Sequence, residues 1–284
     1  TLFPYTTLFR SGLSDRYTKI TLNKAEIPGL DPEKNTVQMD IFPSNIIENI
    51  VVHKTFSPNI PANSTGGHVD IKTKDFPEKF TFQFSTSIGY NPQVHMNENF
   101  LTYEGGKTDW LAYDDGTRGV PERAKQALDR LGTSDVDQIV IGEFANSELN
   151  DISQSFNKEM DVRRSNSAID HSHKFSIGNQ KEVFGKPLGF NVAFNYARSF
   201  SYYDDGLFGY YDAEDPAPWI KVNDEKGEEE VLMTGLVNAN YKLNNNHKVG
   251  VRFIQSQSGK TISRVRDGYF NYEGTHVRDR NLGY

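Results

Sequence analysis

Residues 80–90, FTFQFSTSIGY, place a large apolar side chain at almost every second position. All the even-numbered residues except Thr86 are aromatic or aliphatic, and the odd-numbered ones are threonine, glutamine, serine and glycine. Because successive side chains of a β-strand point to opposite faces, this alternation predicts a strand with one apolar and one small, polar face. The fold must place that apolar face against either a protein core or lipid.

Further runs alternate in the same way. The longest is LGFNVAFNYARSFSY, residues 188–202, and shorter runs occupy 233–241 and 248–254, with a weaker one around Phe175. The residues of the other parity are mostly glycine, asparagine, serine, threonine and alanine. These runs predict about five strands within residues 80–284. The alternation is interrupted at three positions, Arg198, Leu236 and Ile254.

The connections between these strands alternate in length. Short turns are predicted at 184–187, which contains Gly-Lys-Pro, and at the asparagine-rich 244–247. Long connections are predicted at 92–168 and 203–230. Short turns at one end and long loops at the other are typical of an outer-membrane β-barrel. The small polar residues of the second parity suit a wet lumen, so the apolar face of 80–90 is predicted to contact lipid.

The alternative is a soluble β-sandwich or barrel, with the apolar faces turned inward. The chain would then be a soluble or surface-anchored β-rich binding module. Alternation alone does not distinguish the two classes, because both have one apolar face per strand. The asymmetry of the loops favours the membrane. So do Tyr90 and Tyr202, which stand near strand ends, where interfacial aromatic residues belong.

Composition excludes several classes of protein. The chain has no run of about 18 apolar residues, so no transmembrane helix is expected. The formal net charge of -7 argues against a nucleic-acid partner, because phosphate binding requires a basic face. The absence of cysteine excludes disulfides, zinc–thiolate sites and cysteine nucleophiles.

Residues 12–79 have a different sequence pattern from residues 80–284. Short strands are predicted at 17–22, 50–54 and 68–73, separated by segments rich in proline and glycine. A helical turn is predicted from Pro43 through Glu48, with Ser44 as its N-cap. This pattern indicates a small mixed α/β unit.

Two stretches of this unit resemble the plug domain of TonB-dependent outer-membrane receptors: GLSDRYTKITLN (12–23) and DIFPSNIIENIVVHKTFSPNIPANSTGGHVDIKTKDFP (40–77). In addition, TYEGGKTDWLAYDDGTRGVP (102–121) resembles the first long loop of a subgroup of these receptors. Lys24 departs from the family, which usually has glycine there. The matching elements are Gly12-Leu13, the Asp40-Ile41-Phe42-Pro43 turn, Ile50 through Lys54, Gly66-Gly67, and the Val69-Asp70-Ile71 strand.

The resemblance implies a fold. Residues 12–79 are expected to be the C-terminal part of a small α/β plug domain. Residues 80–284 are expected to be the N-terminal strands of an antiparallel transmembrane β-barrel. The first half of the plug, the TonB-contacting box and most of the barrel would be missing. The chain is therefore expected to be a fragment that cannot insert or transport by itself, because an open sheet edge is not tolerated in a bilayer.

The resemblance also implies a function and a location. Such receptors lie in the outer membrane of Gram-negative bacteria and take up a scarce ligand, for example a siderophore, cobalamin or a saccharide. The expected partners are outer-membrane lipid, a small-molecule or oligosaccharide ligand, and the inner-membrane TonB complex, which would act through the missing N-terminal part. No nucleic acid is expected.

Residues 1–11, TLFPYTTLFRS, lack the features of a secretory signal. They resemble the translation of a sequencing adapter and are treated as a non-native segment. The alternative is a disordered native end.

The predicted 203–230 connection contains the candidate ligand-binding residues. It holds ten acidic residues against Lys221 and Lys226. One interpretation is a solvated, self-repelling loop, and the other is attraction of cations or of a cationic ligand. Its aromatic residues could stack on a sugar or an aromatic siderophore, or pack the loop onto itself. The candidates are Asp204, Asp205, Tyr210, Tyr211 and Trp219.

Sequence motifs for catalysis or cofactors are weak. Ser258-Gly259-Lys260-Thr261 imitates the end of a phosphate-binding loop, but Ile254 stands where the first glycine should be. His171 and His173 would share one face of a strand, and no third metal ligand is evident. There is no Gly-x-Ser-x-Gly elbow. Neither an enzyme, a metal site nor a cofactor is expected.

Local patterns predict turns and helices in the connections. Asp114-Asp115-Gly116 and Asp204-Asp205-Gly206 are expected to be turns rather than calcium loops. Residues 121–131 and 144–160 have helical spacing, and packing of an ordered loop explains both.

Overall fold

In the computed structural model, the described residues are 18–27, 42, 46–55, 57–58, 60–61, 64, 67–131, 146–157, 161–211, 218–270 and 275–283. This part of the chain is mostly β-sheet, with two short α-helices. Residues 1–11, Gly12-Leu13, Gly66 and most of the Asp40–Pro43 turn lie outside the described residues.

A small four-stranded sheet comes first. It consists of β1 (Thr18–Leu22), β2 (Ala25–Glu26), β3 (Ile47–His53) and β4 (Gly67–Thr73), in the order β2-β1-β4-β3. Strands β1 and β4 are parallel, and the other two pairs are antiparallel. The three strands predicted in this region are confirmed.

The helical turn predicted from Pro43 through Glu48 ends earlier than expected. Ile46 is in a 3-10 helical conformation. Ile47 and Glu48 already belong to β3, and Ile47 pairs with Thr73 of β4. Pairing of Ile47 with β4 therefore ends the helical turn at Ile46. Pro43 and Ser44 lie outside the described residues.

A two-residue turn joins β1 to β2. Asn23 and Lys24 both have positive φ, 51° and 70°, the geometry of a tight hairpin turn that favours Asn-Gly. The Asn23 side chain donates to Thr73 Oγ1 (2.9 Å) and accepts from the Thr73 amide (3.0 Å). The Lys24 amide donates to the Asp70 carboxylate (3.0 Å). These contacts hold Lys24 in a conformation that glycine adopts more easily.

A second sheet begins with β5 (Thr81–Gly89). The described residues between it and the next strand of the same sheet include β6 (Leu101–Thr102), α1 (Glu122–Leu131), α2 (Asn146–Ser155) and β7 (Arg163–Arg164). Both predicted helices are confirmed, the second with shorter bounds than 144–160. A 3-10 turn covers Asp109–Leu111.

The rest of the second sheet is a meander of long strands. These are β8 (Asp170–Val183), β9 (Lys186–Tyr211), β10 (Pro218–Lys242), β11 (Lys248–Phe270) and β12 (Thr275–Gly283). The strand order is β12-β11-β10-β9-β8-β5, so within the described residues this six-stranded sheet is open, with β5 and β12 as its edges. The β5–β8, β8–β9 and β11–β12 pairs are antiparallel.

Both short turns predicted from the sequence are confirmed. Phe184 and Gly185, with φ of 51° and 71°, form a two-residue turn between β8 and β9. At the β10–β11 turn, Asn244 Oδ1 accepts from the amides of Asn246 (2.9 Å) and His247 (2.8 Å). Both turns are therefore specified locally, the first by the positive φ of Gly185 and the second by the Asn244 side chain.

The prediction that 203–230 is a loop was wrong over most of its length. Strand β9 continues to Tyr211 and β10 starts at Pro218. The Asp204-Asp205-Gly206 turn was wrong for the same reason, because these residues lie inside β9. Charged residues hid the strand, since the extension lacks the apolar alternation that marked the first half of β9.

By residue contacts the chain divides into two compact units. The described residues of the first unit form the small sheet, β5, β8, and the segments of β9, β10 and β11 that lie within residues 170–198 and 232–258. The second unit contains the described residues within 90–169, 199–231 and 259–284.

The first unit has a mixed core. Side chains of the small sheet, Ile20, Leu22 and Ile71, pack with Leu232 and Leu236 of β10. Leu236 was one of the residues that broke the alternation, and Ile254, another of them, packs against the same core. These interruptions are therefore contacts with the small sheet.

Elsewhere in the first unit the six-stranded sheet keeps its polar side inward. Asn191, Asn195, Asn238 and Asn240 are each no more than 2% exposed. Asn191 and Asn238 both donate to the Lys74 carbonyl oxygen, at 2.6 and 3.1 Å. The side facing the small sheet is thus largely a layer of buried amides.

The apolar side of the same sheet is exposed. Phe82, Phe84 and Ile88 of β5 are 60, 61 and 69% exposed. The outer positions of β11 follow the same pattern, with Val251 at 68% and Phe253 at 56%. The six-stranded sheet is therefore inverted relative to an ordinary soluble domain, with amides inside and phenyl rings outside.

Candidate functional site

The five ligand candidates lie in the second unit, on β9 and β10. Asp204, Asp205, Tyr210 and Tyr211 belong to β9, and Trp219 is the second residue of β10. All five side chains are exposed. Consecutive residues of a strand point to opposite faces. Only one residue of each adjacent pair can therefore face a common ligand, and the structure does not unite the two pairs in one site.

An ion-pair cluster that the sequence did not predict lies beside these residues. The Asp224 carboxylate is almost fully buried and accepts from the Tyr203 hydroxyl (2.5 Å). Its Oδ1 lies 3.0 Å from Arg264 Nε and 3.2 Å from Arg266 Nε. The Arg266 guanidinium also stacks 4.5 Å from the Phe208 ring centroid. The alternating Arg-Val-Arg of β11 was the one sequence signal for this pairing.

A second carboxylate is also paired with an arginine and a tyrosine. Glu225 accepts from both terminal nitrogens of Arg164, at 2.6 and 2.8 Å, and from the Tyr202 hydroxyl at 2.7 Å. Burial, together with the neighbouring Glu225 carboxylate, raises the pKa of Tyr202 to about 12. The hydrogen bonds from Arg164 to Glu225 raise the pKa of the guanidinium.

Glu228 is the third paired acid. It contacts the ammonium groups of Lys226 and, at 2.6 Å, Lys260. Burial raises its pKa, but the hydrogen bonds and the positive charges of the two lysines together outweigh burial and leave the pKa below its usual value. Three of the ten acids predicted to repel one another are therefore neutralised by basic residues, which weakens the interpretation of this region as a cation attractor.

The loop that precedes α1 is ordered by one arginine. Arg118 Nη1 donates to Asp109 Oδ1 (2.8 Å), Nη2 contacts the other carboxylate oxygen, and Nε donates to the Tyr103 hydroxyl (3.1 Å). Asp109 in turn accepts from the Gly106 amide at 2.9 Å. The hydrogen bond to Asp109 raises the pKa of Arg118. The network fixes the loop on which Trp110 stands.

The predicted turn at Asp114-Asp115-Gly116 is confirmed. Asp115 Oδ1 accepts from the Thr117 amide (3.1 Å), and Gly116 has a φ of 91°. The hydrogen bond from the Thr117 side chain, with those from the Thr117 and Lys107 amides, lowers the pKa of Asp115 to about 2. On the same loop Trp110 and Tyr113 are about half exposed, so aromatic surface is available here as well as on β9.

The motifs that imitate cofactor sites have structural explanations. Ser258 to Thr261 lie inside β11 rather than at a strand-to-helix loop. His171 and His173 share the outward face of β8, with ring centroids 5.7 Å apart. Across the described part of the chain, no three histidine, aspartate or glutamate side chains are grouped so as to hold a metal ion.

Neither of the two described helices has the length and hydrophobicity needed to cross a membrane. Comparisons with protein-family models, curated proteins and solved structures gave no match to this chain.

Proposed function

We propose that this chain is part of a TonB-dependent outer-membrane receptor. In this proposal the six-stranded sheet contributes strands to the transmembrane barrel, and the small sheet is the C-terminal part of the plug. The observation that carries the proposal is the inverted sheet, whose outward apolar face suits lipid. Support also comes from the resemblance of residues 12–79 to the plug and of 102–121 to a first loop.

The free energy of hydration explains why the inverted sheet favours a membrane. Phe82 and Phe84, with Phe194 of β9 beside them, leave an apolar surface in contact with solvent. Monomeric soluble proteins rarely expose large patches of this kind, because each Å² costs about 25 cal/mol. In a bilayer the same surface is favourably solvated by acyl chains. The nine residues of β5 also match the length of about 9–11 residues for a transmembrane strand.

The inward face is suited to a barrel that holds a plug. Asn191 and Asn238 donate to the Lys74 carbonyl, and Asn240 donates to the Asp75 carbonyl at 3.4 Å. Such amide contacts are weak enough individually, at about 1 kcal/mol each, to be exchanged for water when the plug moves. An apolar interface between the plug and the barrel would be harder to separate, because its surfaces would have to be exposed to water.

The ligand and energy source follow the resemblance. A siderophore, cobalamin or saccharide would bind from outside, and the TonB complex would act on the plug. Exposed rings at Trp110, Tyr113, Tyr210 and Tyr211 offer stacking surfaces for such a ligand.

The test uses the natural absence of cysteine, which allows clean single-site spin labelling. Nitroxides are attached at positions 82 and 84 (outward) and, as matched controls, at 83 and 85 (inward) of the full chain in dodecylmaltoside micelles. Collision rates are measured with oxygen, which concentrates in the apolar phase, and with a water-soluble nickel chelate.

The expected result is an alternation with a period of two. Labels at 82 and 84 collide with oxygen and are protected from nickel, and labels at 83 and 85 show the reverse. A soluble β-rich binding module would instead stay folded and monomeric without detergent. Its labels at 82 and 84 would either collide with nickel or, packed in a protein core, be protected from both reagents. That result would refute the proposal.

A further inference from the structure

The outward side chains of β5, β8 and β9 form rows across the three strands. The register pairs residues of β5 with β8 and of β8 with β9, so each row holds one side chain from each strand. Two consecutive rows are wholly apolar: Phe82–Ile177–Val192 and Phe84–Phe175–Phe194.

The next two rows change character. They are Thr86–His173–Tyr196 and Ile88–His171–Arg198. The three rings are close together, since the His171 and Tyr196 centroids lie 5.8 Å apart and the His173 and Tyr196 rings are stacked at 6.4 Å and 14°. The polar rim is defined here as Thr86, His171, His173, Tyr196 and Arg198.

The rim contains several hydrogen-bond donors and one permanent cation. Thr86 Oγ1 lies 3.0 Å from His173 Nδ1, which fixes that ring so that a ligand would meet Nε2. The guanidinium of Arg198 has five N–H donors, so it can bind an anion alongside other contacts. None of the four rows contains a carboxylate, although the chain as a whole has a net charge of -7.

We propose that the polar rim binds the phosphate of an anionic lipid headgroup, an inference that rests on the proposed membrane location. Adjacent rows on one face of a strand are two residues, or about 7 Å, apart. A phosphate at the rim therefore places the upper acyl chains of the same lipid against Phe84, Phe175 and Phe194. Arginine suits this role because its planar fork matches phosphate oxygens.

The experiment measures lipid preference. The full chain stays in dodecylmaltoside micelles at physiological salt, because a sheet with open edges is not expected to insert into a bilayer. Spin-labelled phosphatidylcholine or phosphatidic acid is added, and the fraction of each lipid that the protein immobilises is measured by electron paramagnetic resonance. The wild type is expected to bind more of the anionic lipid. Arg198→Gln should lower the ratio of anionic to neutral binding about fivefold, the usual contribution of one basic residue at an anionic surface.

Three further variants separate a headgroup site from general charge or misfolding. Arg198→Lys should keep most of the preference, which shows that the site tolerates substitution. His171→Gln with His173→Gln should reduce it. Lys174→Gln removes one charge from the inward row Ser85–Lys174–Asn195 of the same strands and should leave the ratio unchanged.

The outcomes also separate this inference from the proposed function. Equal ratios for the wild type and Arg198→Gln, or an equal loss in Lys174→Gln, would overturn the headgroup site while phosphatidylcholine is still immobilised. A wild type that immobilises neither lipid would count against the membrane location itself.

Discussion

The small and the six-stranded sheets use the same alternation and bury opposite faces. In the small sheet Ile20 and Ile71 point into the core, as in any soluble domain. In the six-stranded sheet Asn191 and Asn238 are buried, and Phe84 is on the surface. Alternation therefore predicts which residues share a face of a strand and does not predict which face meets the solvent. The composition of the less apolar set of alternate residues indicates which face is buried.

The largest expected effect on stability comes from a matched pair of isoleucine-to-alanine substitutions. Ile71→Ala in the small sheet removes a fully buried side chain and should lower the free energy of unfolding by about 2–5 kcal/mol, through lost transfer energy and a cavity. Ile88→Ala on the outward face of β5 creates no cavity and should cost less than about 1 kcal/mol. Urea titrations in detergent measure both. Equal losses would break the comparison.

The second test addresses the buried amides. Asn238 donates to Thr73 Oγ1 and the Lys74 carbonyl, both at 3.1 Å, and accepts from Asn240 at 3.0 Å. Asn238→Ala leaves these partners unsatisfied and should cost about 1–3 kcal/mol in the same titration. The outward neighbour Val237→Ala is the control and should be near neutral. A stabilising Asn238→Ala would mean that the inward face prefers to be apolar.

The third test is the pH dependence of one ion-pair cluster in the first unit. Asp75 contacts Lys248 and, at 3.1 Å, Arg252. Burial raises the pKa of Asp75, but hydrogen bonds from the two cations outweigh it, so the folded-state pKa is depressed. Its contribution is therefore present above the unfolded-state pKa, about 3.9 for aspartate, and is lost as pH falls through the folded value.

Because both cations are partly exposed, Asp75→Asn should cost only about 1 kcal/mol at neutral pH. The difference from the wild type should disappear in acid, as measured by urea unfolding at a series of pH values. A difference that persists after Asp75 is protonated in the wild type would assign the effect to packing instead of charge.

The smallest expected effect is a gain in the free energy of unfolding. Lys24 has a φ of 70°, a conformation that costs an L-residue about 1–2 kcal/mol and that glycine adopts readily. Replacement by glycine regains only part of this energy, because glycine also loses more conformational entropy on folding. Lys24→Gly should raise the free energy of unfolding by about 0.5–1 kcal/mol. Lys24→Ala removes the same exposed side chain without relieving the backbone and should show no gain. A gain in both variants would point to the side chain.

The sequence predicted the strands that alternate and the turns that carry their own chemistry. Phe184-Gly185 and Asn244 could be placed because their geometry is local. Residues 203–211 of β9 and 218–230 of β10 could not be placed, because they are stabilised by pairs between strands, such as Asp224 with Arg264. The Arg-Val-Arg alternation of β11 indicates one side of such a pair and does not identify the partner. The candidate residues Asp204 and Asp205 were chosen for charge alone, and the ordered acids proved to be others.

The parallel pairing of β1 with β4 has a mechanical consequence. Thr18 stands beside Gly67 and Leu22 beside Ile71, so both strands run in one direction. A force that pulls the start of β1 one way and the end of β4 the other loads all five paired positions in shear at once. The bonds cannot be unzipped one after another. The small sheet should yield in a single step at high force, and stay intact below it.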